Sequence, residues 1–286
     1  MFSSDPTYAG INWERRRDEG FAYNLAYNFI GAQMNPEVGF LQRNDVHGWN
    51  SRLQYGWLPG ESSKVFSLRT ILQYDRYVRL SDGGLESMEV SPGVFLNFKN
   101  GMGGMMEMKF QKEGVSYDFD LSDNVSVQAG EYAFPAFSAR LFTPMSKPIA
   151  AMINILAGGY YDGNIVSVST RPVFSISSKF QLSGSYSINK ISFPDRDQQL
   201  TTHVGRLNFL YMVNTKLSVS TFVQVNNTSE VFVGNFRLRY NPREGNDFYL
   251  VFNEYRGFMM PDDVVPSAPG YFNRALLLKY THTFIL

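Results

Sequence analysis

Few side chains in this sequence could do covalent chemistry. There are three histidines, His47, His203 and His282, and no cysteine. Without cysteine there is no thiolate nucleophile, no disulfide and no zinc–thiolate site. No histidine stands beside a serine and a carboxylate in a recognisable arrangement, so no catalytic residue, metal ligand or cofactor is assigned. Spacing alone still leaves room for a barrel-embedded hydrolase, whose serine and histidine would be neighbours only in space. Asp118, Asp120 and Asp123, near Glu113 and Glu131, lack the spacing and glycine of a calcium hand and read as a solvated acidic loop. The informative charges are Arg16, Arg52, Arg69, Asp75, Glu107, Lys109, Arg140, Arg171, Arg206, Arg237 and Arg239, together with Glu14 and Glu89. Each falls on the polar side of an alternating segment. Two chemistries fit them. They could pair across neighbouring strands and stiffen a wall. Unpaired arginines could instead set an anion-favouring field in a water-filled passage.

The elements that must carry these residues have a period of two. In Phe180–Ile191, Phe180, Leu182, Gly184, Tyr186 and Ile188 share one parity and Gln181, Ser183, Ser185, Ser187 and Asn189 the other. Successive strand side chains point to opposite faces, so this is a strand with one apolar and one polar face. Phe21–Phe29, Phe66–Asp75, Met106–Gln111, Leu217–Gln224 and Val231–Tyr240 repeat the pattern. No segment reads better at 3.6. Turn-forming clusters such as Asp18–Gly20, Pro59–Ser63, Asn100–Gly104, Met145–Pro148, Asn214–Thr215 and Asn241–Asn246 separate the runs. The reading is all-β, antiparallel, with about 15 strands of about 9–12 residues, the length a tilted strand needs to cross a bilayer.

Composition excludes other classes. The 286 residues carry 26 basic and 26 acidic side chains, so no charge excess points to nucleic acid. At 44% hydrophobic and 18% charged, the chain is not a disordered one. No run of about 18 apolar residues supports a helical membrane span. A face of apolar residues on every strand could pack inward in a soluble sandwich or outward on lipid. Three features point to lipid. The polar parity is charged on nearly every strand. The apolar parity carries Trp13, Trp49, Trp57, Tyr55, Tyr160, Tyr211 and Tyr280 near strand ends, where amphipathic rings suit a membrane interface. Connections alternate between short turns and a set containing three long loops, 31–46, 112–131 and 256–273. The expectation is a transmembrane β-barrel over 1–286, in the outer membrane of a Gram-negative bacterium, with a net-positive lumen. The 112–131 loop is expected to fold inward, because Val115, Tyr117, Phe119 and Leu121 alternate as a hairpin would.

An odd strand count with the last strand running towards the periplasm leaves the first strand starting outside. Single-chain bacterial barrels have even counts. The expectation is therefore a C-terminal part of a barrel of 16 or more strands, unless Val38–Asp45 is itself a strand. The closing run Leu276, Leu278, Tyr280, His282, Phe284 and Leu286 alternates like the strand read by the outer-membrane assembly machinery.

Three segments carry a resemblance: Asn35–Asp45 (NPEVGFLQRND), Leu238–Asn253 (LRYNPREGNDFYLVFN) and Leu278–Phe284 (LKYTHTF). They look like the C-terminal outer-membrane β-barrel domain, a domain of unknown function, of Gram-negative surface proteins that usually carry an N-terminal domain similar to family-9 carbohydrate-binding modules. The resemblance implies a sugar-binding-like domain and further strands upstream, and supplies no catalytic residue. Three functions follow as expectations. The first is a channel or uptake component for polar solutes such as oligosaccharides. The second is a membrane anchor displaying a carbohydrate-binding domain. The third is the embedded hydrolase.

Overall fold

The computed structural model describes residues 6–36, 39–227, 231–257 and 272–283. In chain order its strands are β1 (Tyr8–Arg15), β2 (Gly20–Ile30), β3 (Val46–Trp57), β4 (Val65–Arg79), β5 (Leu85–Phe98), β6 (Gly103–Val115), β7 (Phe119–Ser122), β8 (Val125–Val127) and β9 (Gly130–Phe142). They continue with β10 (Ile149–Tyr160), β11 (Gly163–Ser177), β12 (Phe180–Phe193), β13 (Gln198–Met212), β14 (Leu217–Asn226), β15 (Val231–Arg243), β16 (Asn246–Gly257) and β17 (Phe272–His282). A single 3-10 turn at Pro194–Arg196 is the only helical element among the described residues. Fifteen strands form one antiparallel sheet in sequence order, and β7 and β8 form a separate hairpin between β6 and β9. The fold is thus all-β, and no described helix is long and apolar enough to cross a membrane.

Strand β6 shows why these residues make a sheet, and what kind. Met106, Met108 and Phe110 are 52%, 41% and 50% exposed. Between them, the Glu107 and Lys109 side chains are only 18% and 24% exposed. A water-soluble sheet would bury the first set and solvate the second; here the arrangement is reversed. The pairing carries that parity from strand to strand. Leu72 lies opposite Leu53 and Pro92, while Asp75 lies opposite Asn50 and Glu89. A slip of one residue would exchange the faces. The register irregularities at Val65/Ser67, Tyr77/Val78 and Tyr240/Arg243 sit near strand ends, so parity survives through the strand centres.

Connections fall into two alternating sets. One holds 16–19, 58–64, 99–102, 143–148, 178–179, 213–216 and 244–245. The last is a two-residue Glu244–Gly245 turn whose Gly245 has φ +77, a conformation that suits tight hairpins. The other set holds all three long connections: 31–45, 116–129 and 258–271. Each is shorter than expected because the flanking strands run further, β6 to Val115 and β9 from Gly130. Residues 39–45 contain no strand, and the interior of 256–273 lies outside the described residues.

Two compact units emerge. The first comprises Met1–Leu141, Asn154–Val166 and Ile191–Leu200. The second comprises Phe142–Ile153, Ser167–Lys190 and Thr201–Leu286.

Candidate functional site

In the first unit much of the polar face is a knit of hydrogen-bonded and ion-paired groups, although Arg69 Nε and Glu86 Oε2 are buried without a hydrogen-bond partner among the described residues. Asn50 on β3 donates to Asp75 Oδ1 at 2.6 Å, and Gln73 donates to Asp75 Oδ2 at 2.8 Å. Tyr77 closes the group with its hydroxyl 3.0 Å from Asn50 Oδ1. One strand on, Lys109 Nζ lies 2.8 Å from Glu89 and 3.5 Å from Glu107. Ser91 and Gln111 donate to the same Glu89 carboxylate at 2.6 and 3.0 Å. Arg69 lies over the Phe95 ring at 4.7 Å and 3.8 Å from Asp18. Arg140 donates to Asn154 at 2.8 Å, and Arg16 to Glu14 at 2.9 Å. Arg52 is exposed and borders a cleft with Glu14, Asn24 and Gln54. On this face the strand-borne charges nearly balance: Glu14, Asp75, Glu86, Glu89, Glu107 and Glu113 against Arg52, Arg69, Arg79, Lys109 and Arg140, and Arg43 from the 31–45 connection reaches Glu86 at 3.4 Å.

The hairpin of β7 and β8 lies against the same side. Tyr160, expected on the apolar face, instead shares the polar parity of Asn154, as Phe134 shares that of Arg140, and their rings border the cluster the hairpin joins. Val125 and Val127 are buried, Val127 completely, against Ile191 and Phe193 of β12. Tyr132, Tyr161, Ile165 and Leu200 complete the surround. Arg196 is the clamp. It donates to the Ser126 carbonyl at 2.6 Å and to Asp162 at 2.9 Å, and lies 4.3 Å over the Phe193 ring. Tyr161 holds φ +52 in the two-residue turn before β11. Burial against Tyr160 pushes its hydroxyl up to about 12, so the phenol stays protonated. The alternation in 112–131 does mark a hairpin, but Val115 belongs to β6 and Tyr117 is exposed before β7. The two valines that anchor it sit in a three-residue strand, too short to show a period. Asp118 accepts a hydrogen bond from the Ala129 amide at 2.7 Å, and no metal-like group of acids or histidines occurs among the described residues.

In the second unit the polar face is built differently. Arg171, Arg206, Arg237, Arg239 and Lys279 lie on it, and Asp247 is its one carboxylate among the described residues. All five cations are exposed. Asp247 pairs with Arg239 at 2.7 Å, and Arg206 donates to Gln224 at 2.9 Å. Arg171 and Arg237 have no hydrogen-bond or ion-pair partner among the described residues. Arg237 borders a cleft of about 260 Å³ with Gln181, Ser183, Asn208, Phe222 and Asn235. Phe222 was not visible as a site residue from the sequence, although its position on the polar parity of β14, between Ser220 and Gln224, is a signal that finds it.

The apolar face carries paired rings near the short connections. Trp13 meets Tyr23 at 5.1 Å and Tyr55 meets Trp57 at 4.7 Å in the first unit. In the second, Phe248 stacks between Tyr240 and Tyr280 at 6.3 and 4.5 Å. The histidines lie on this face. His203 Nδ1 is 2.7 Å from the Tyr186 hydroxyl, and His282 Nδ1 contacts Asn246 Oδ1.

Together these features define an all-β antiparallel sheet with an exposed apolar face and a charged opposite face. No protein-family model matches the sequence, and no curated protein matches it.

Proposed function

We propose that this chain forms a transmembrane β-barrel in the outer membrane of a Gram-negative bacterium. Its apolar face meets lipid, and its polar face lines an aqueous passage for polar solutes, anions above neutral species. The observation that carries this reading is the reversed exposure of β6, repeated across the sheet: Ile11, Phe66, Leu207, Leu276 and Leu278 are all exposed on the apolar parity. In water such a surface would drive aggregation; in a bilayer it is the solvated one. The ring pairs at strand ends suit the interface, and the grouping of the three long connections in one set suits the outer surface. The excess of arginine over acid on the second unit's polar face supplies the anion preference. Oligosaccharides are the solute class that the resemblance to sugar-binding surface proteins favours. Insertion would use the closing strand as the signal for the assembly machinery.

The test is a planar bilayer with a salt gradient. The wild-type chain is expected to conduct with a reversal potential on the anion side of zero. Arg237→Glu with Arg239→Glu is expected to move that potential towards cations. A second reading, a membrane anchor that displays a binding domain, draws on the hairpin seated against the polar face. Lipid insertion with no conductance, before and after hairpin deletion, would select it.

A further inference from the structure

We infer that the cleft around Phe222 in the second unit is a binding subsite for an acidic saccharide, an inference that rests on the passage proposed above. Strand β14 presents Ser218, Ser220, Gln224 and Asn226 on its polar parity, and Phe222 is the one ring among them. It stands directly opposite Asn208 on β13 and Asn235 on β15. Some other rings on this parity have cations over them, Phe95 under Arg69 and Phe193 under Arg196, and Phe134 and Tyr160 pack against each other. No cation or ring is stacked on Phe222 among the described residues. The open part of this half-buried ring, on a water-facing row, gains by contact with something apolar.

The surrounding groups define what that something is. A pyranose has an apolar C–H face and a rim of hydroxyls. The Phe222 ring fits the first, as flat aromatic surfaces do. Asn208 offers an amide that both donates and accepts, and Gln181, whose Nε2 also donates to Ser175, offers its carbonyl oxygen, which suits paired hydroxyls. Asn235 donates to Asn253 Oδ1 at 2.5 Å, which leaves its own carbonyl oxygen for a ligand hydroxyl. Arg237, one residue pair along from Asn235 on β15, presents an unpartnered guanidinium, the natural fork for a carboxylate or sulfate. No carboxylate borders the cleft, so a cationic ligand is disfavoured. Several neutral hydrogen-bonding groups around one ring call for a polyhydroxylated ligand rather than a simple aromatic acid.

The probe is trigalacturonate, titrated calorimetrically into the full chain in detergent micelles, with maltotriose and benzoate as controls. Saturable trigalacturonate binding is expected, with maltotriose weaker by about tenfold, since a charged hydrogen bond is worth roughly 1.4 kcal/mol or more. Phe222→Leu is expected to weaken both sugars by a similar factor. Arg237→Gln is expected to erase the difference between them, with the β circular dichroism signal kept in both variants. Unchanged affinity in these variants, equal binding of benzoate, or no saturable binding by folded wild type overturns the subsite. Conductance of the same preparation separates the two readings. Conduction without binding sinks the subsite alone, binding without conduction sinks the passage alone, and neither sinks both.

Discussion

The polar faces of the two units use the same kind of strand for different ends. In the first unit, Lys109 is held between Glu89 and Glu107, and Asp75 accepts from Asn50 and Gln73. In the second, Arg171, Arg206, Arg237 and Arg239 stand exposed with Asp247 as the nearby acid. The first unit also carries the hairpin and its buried cluster. Half-buried, multiply bonded charges hold a wall in place, because removing one leaves its partners desolvated and unsatisfied. Exposed arginines without partners, here Arg171 and Arg237, add little to stability and instead contribute an uncompensated positive charge. The charges suited to stiffening a wall and those suited to an anion-favouring field therefore fall largely in different units.

The largest effect should come from the hairpin. Val127→Asp places a carboxylate where the valine is fully buried, at a cost of several kcal/mol, roughly 3–5. The hairpin is expected to leave the face, with new protease cleavage within 116–129 and a higher single-channel conductance. Cleavage without a conductance change would show that the hairpin seats on the face but does not narrow the passage. The next contrast sets one unit against the other. Lys109→Met should destabilise the folded chain by about 1–3 kcal/mol in urea titrations, discounted for partial exposure, because Glu89 and Glu107 lose their shared cation. Arg237→Gln should stay within about 0.5 kcal/mol of wild type in the same titration, yet shift the reversal potential. Equal costs for the two would erase the division between the units.

Much of this was readable from the sequence, for a physical reason. A period of two is a local property, so the parity of Asp75, Lys109 or Arg237 follows from the residues on either side. Strand ends were less legible. Strand β6 runs on to Val115 and β9 starts at Gly130, both inside the expected 112–131 loop. Which charges pair was not legible at all. Lys109 meets Glu89 through the register of β5 with β6, and Arg196 reaches Ser126 across 70 residues of chain. Val125 and Val127 carry no pattern in so short a strand. Phe222 breaks the polar alternation of β14, and only its neighbours Asn208 and Asn235, brought by adjacent strands, turn that exception into a candidate site.

Whether the apolar face meets lipid can be read from the three tryptophans. Trp13, Trp49 and Trp57 all lie on that face and are 65%, 51% and 41% exposed. The chain reconstituted in vesicles with brominated acyl chains should lose most of its tryptophan fluorescence relative to plain lipid, while aqueous acrylamide quenches it weakly. Strong acrylamide quenching with no effect of the brominated lipid would place the face in water and contradict the account.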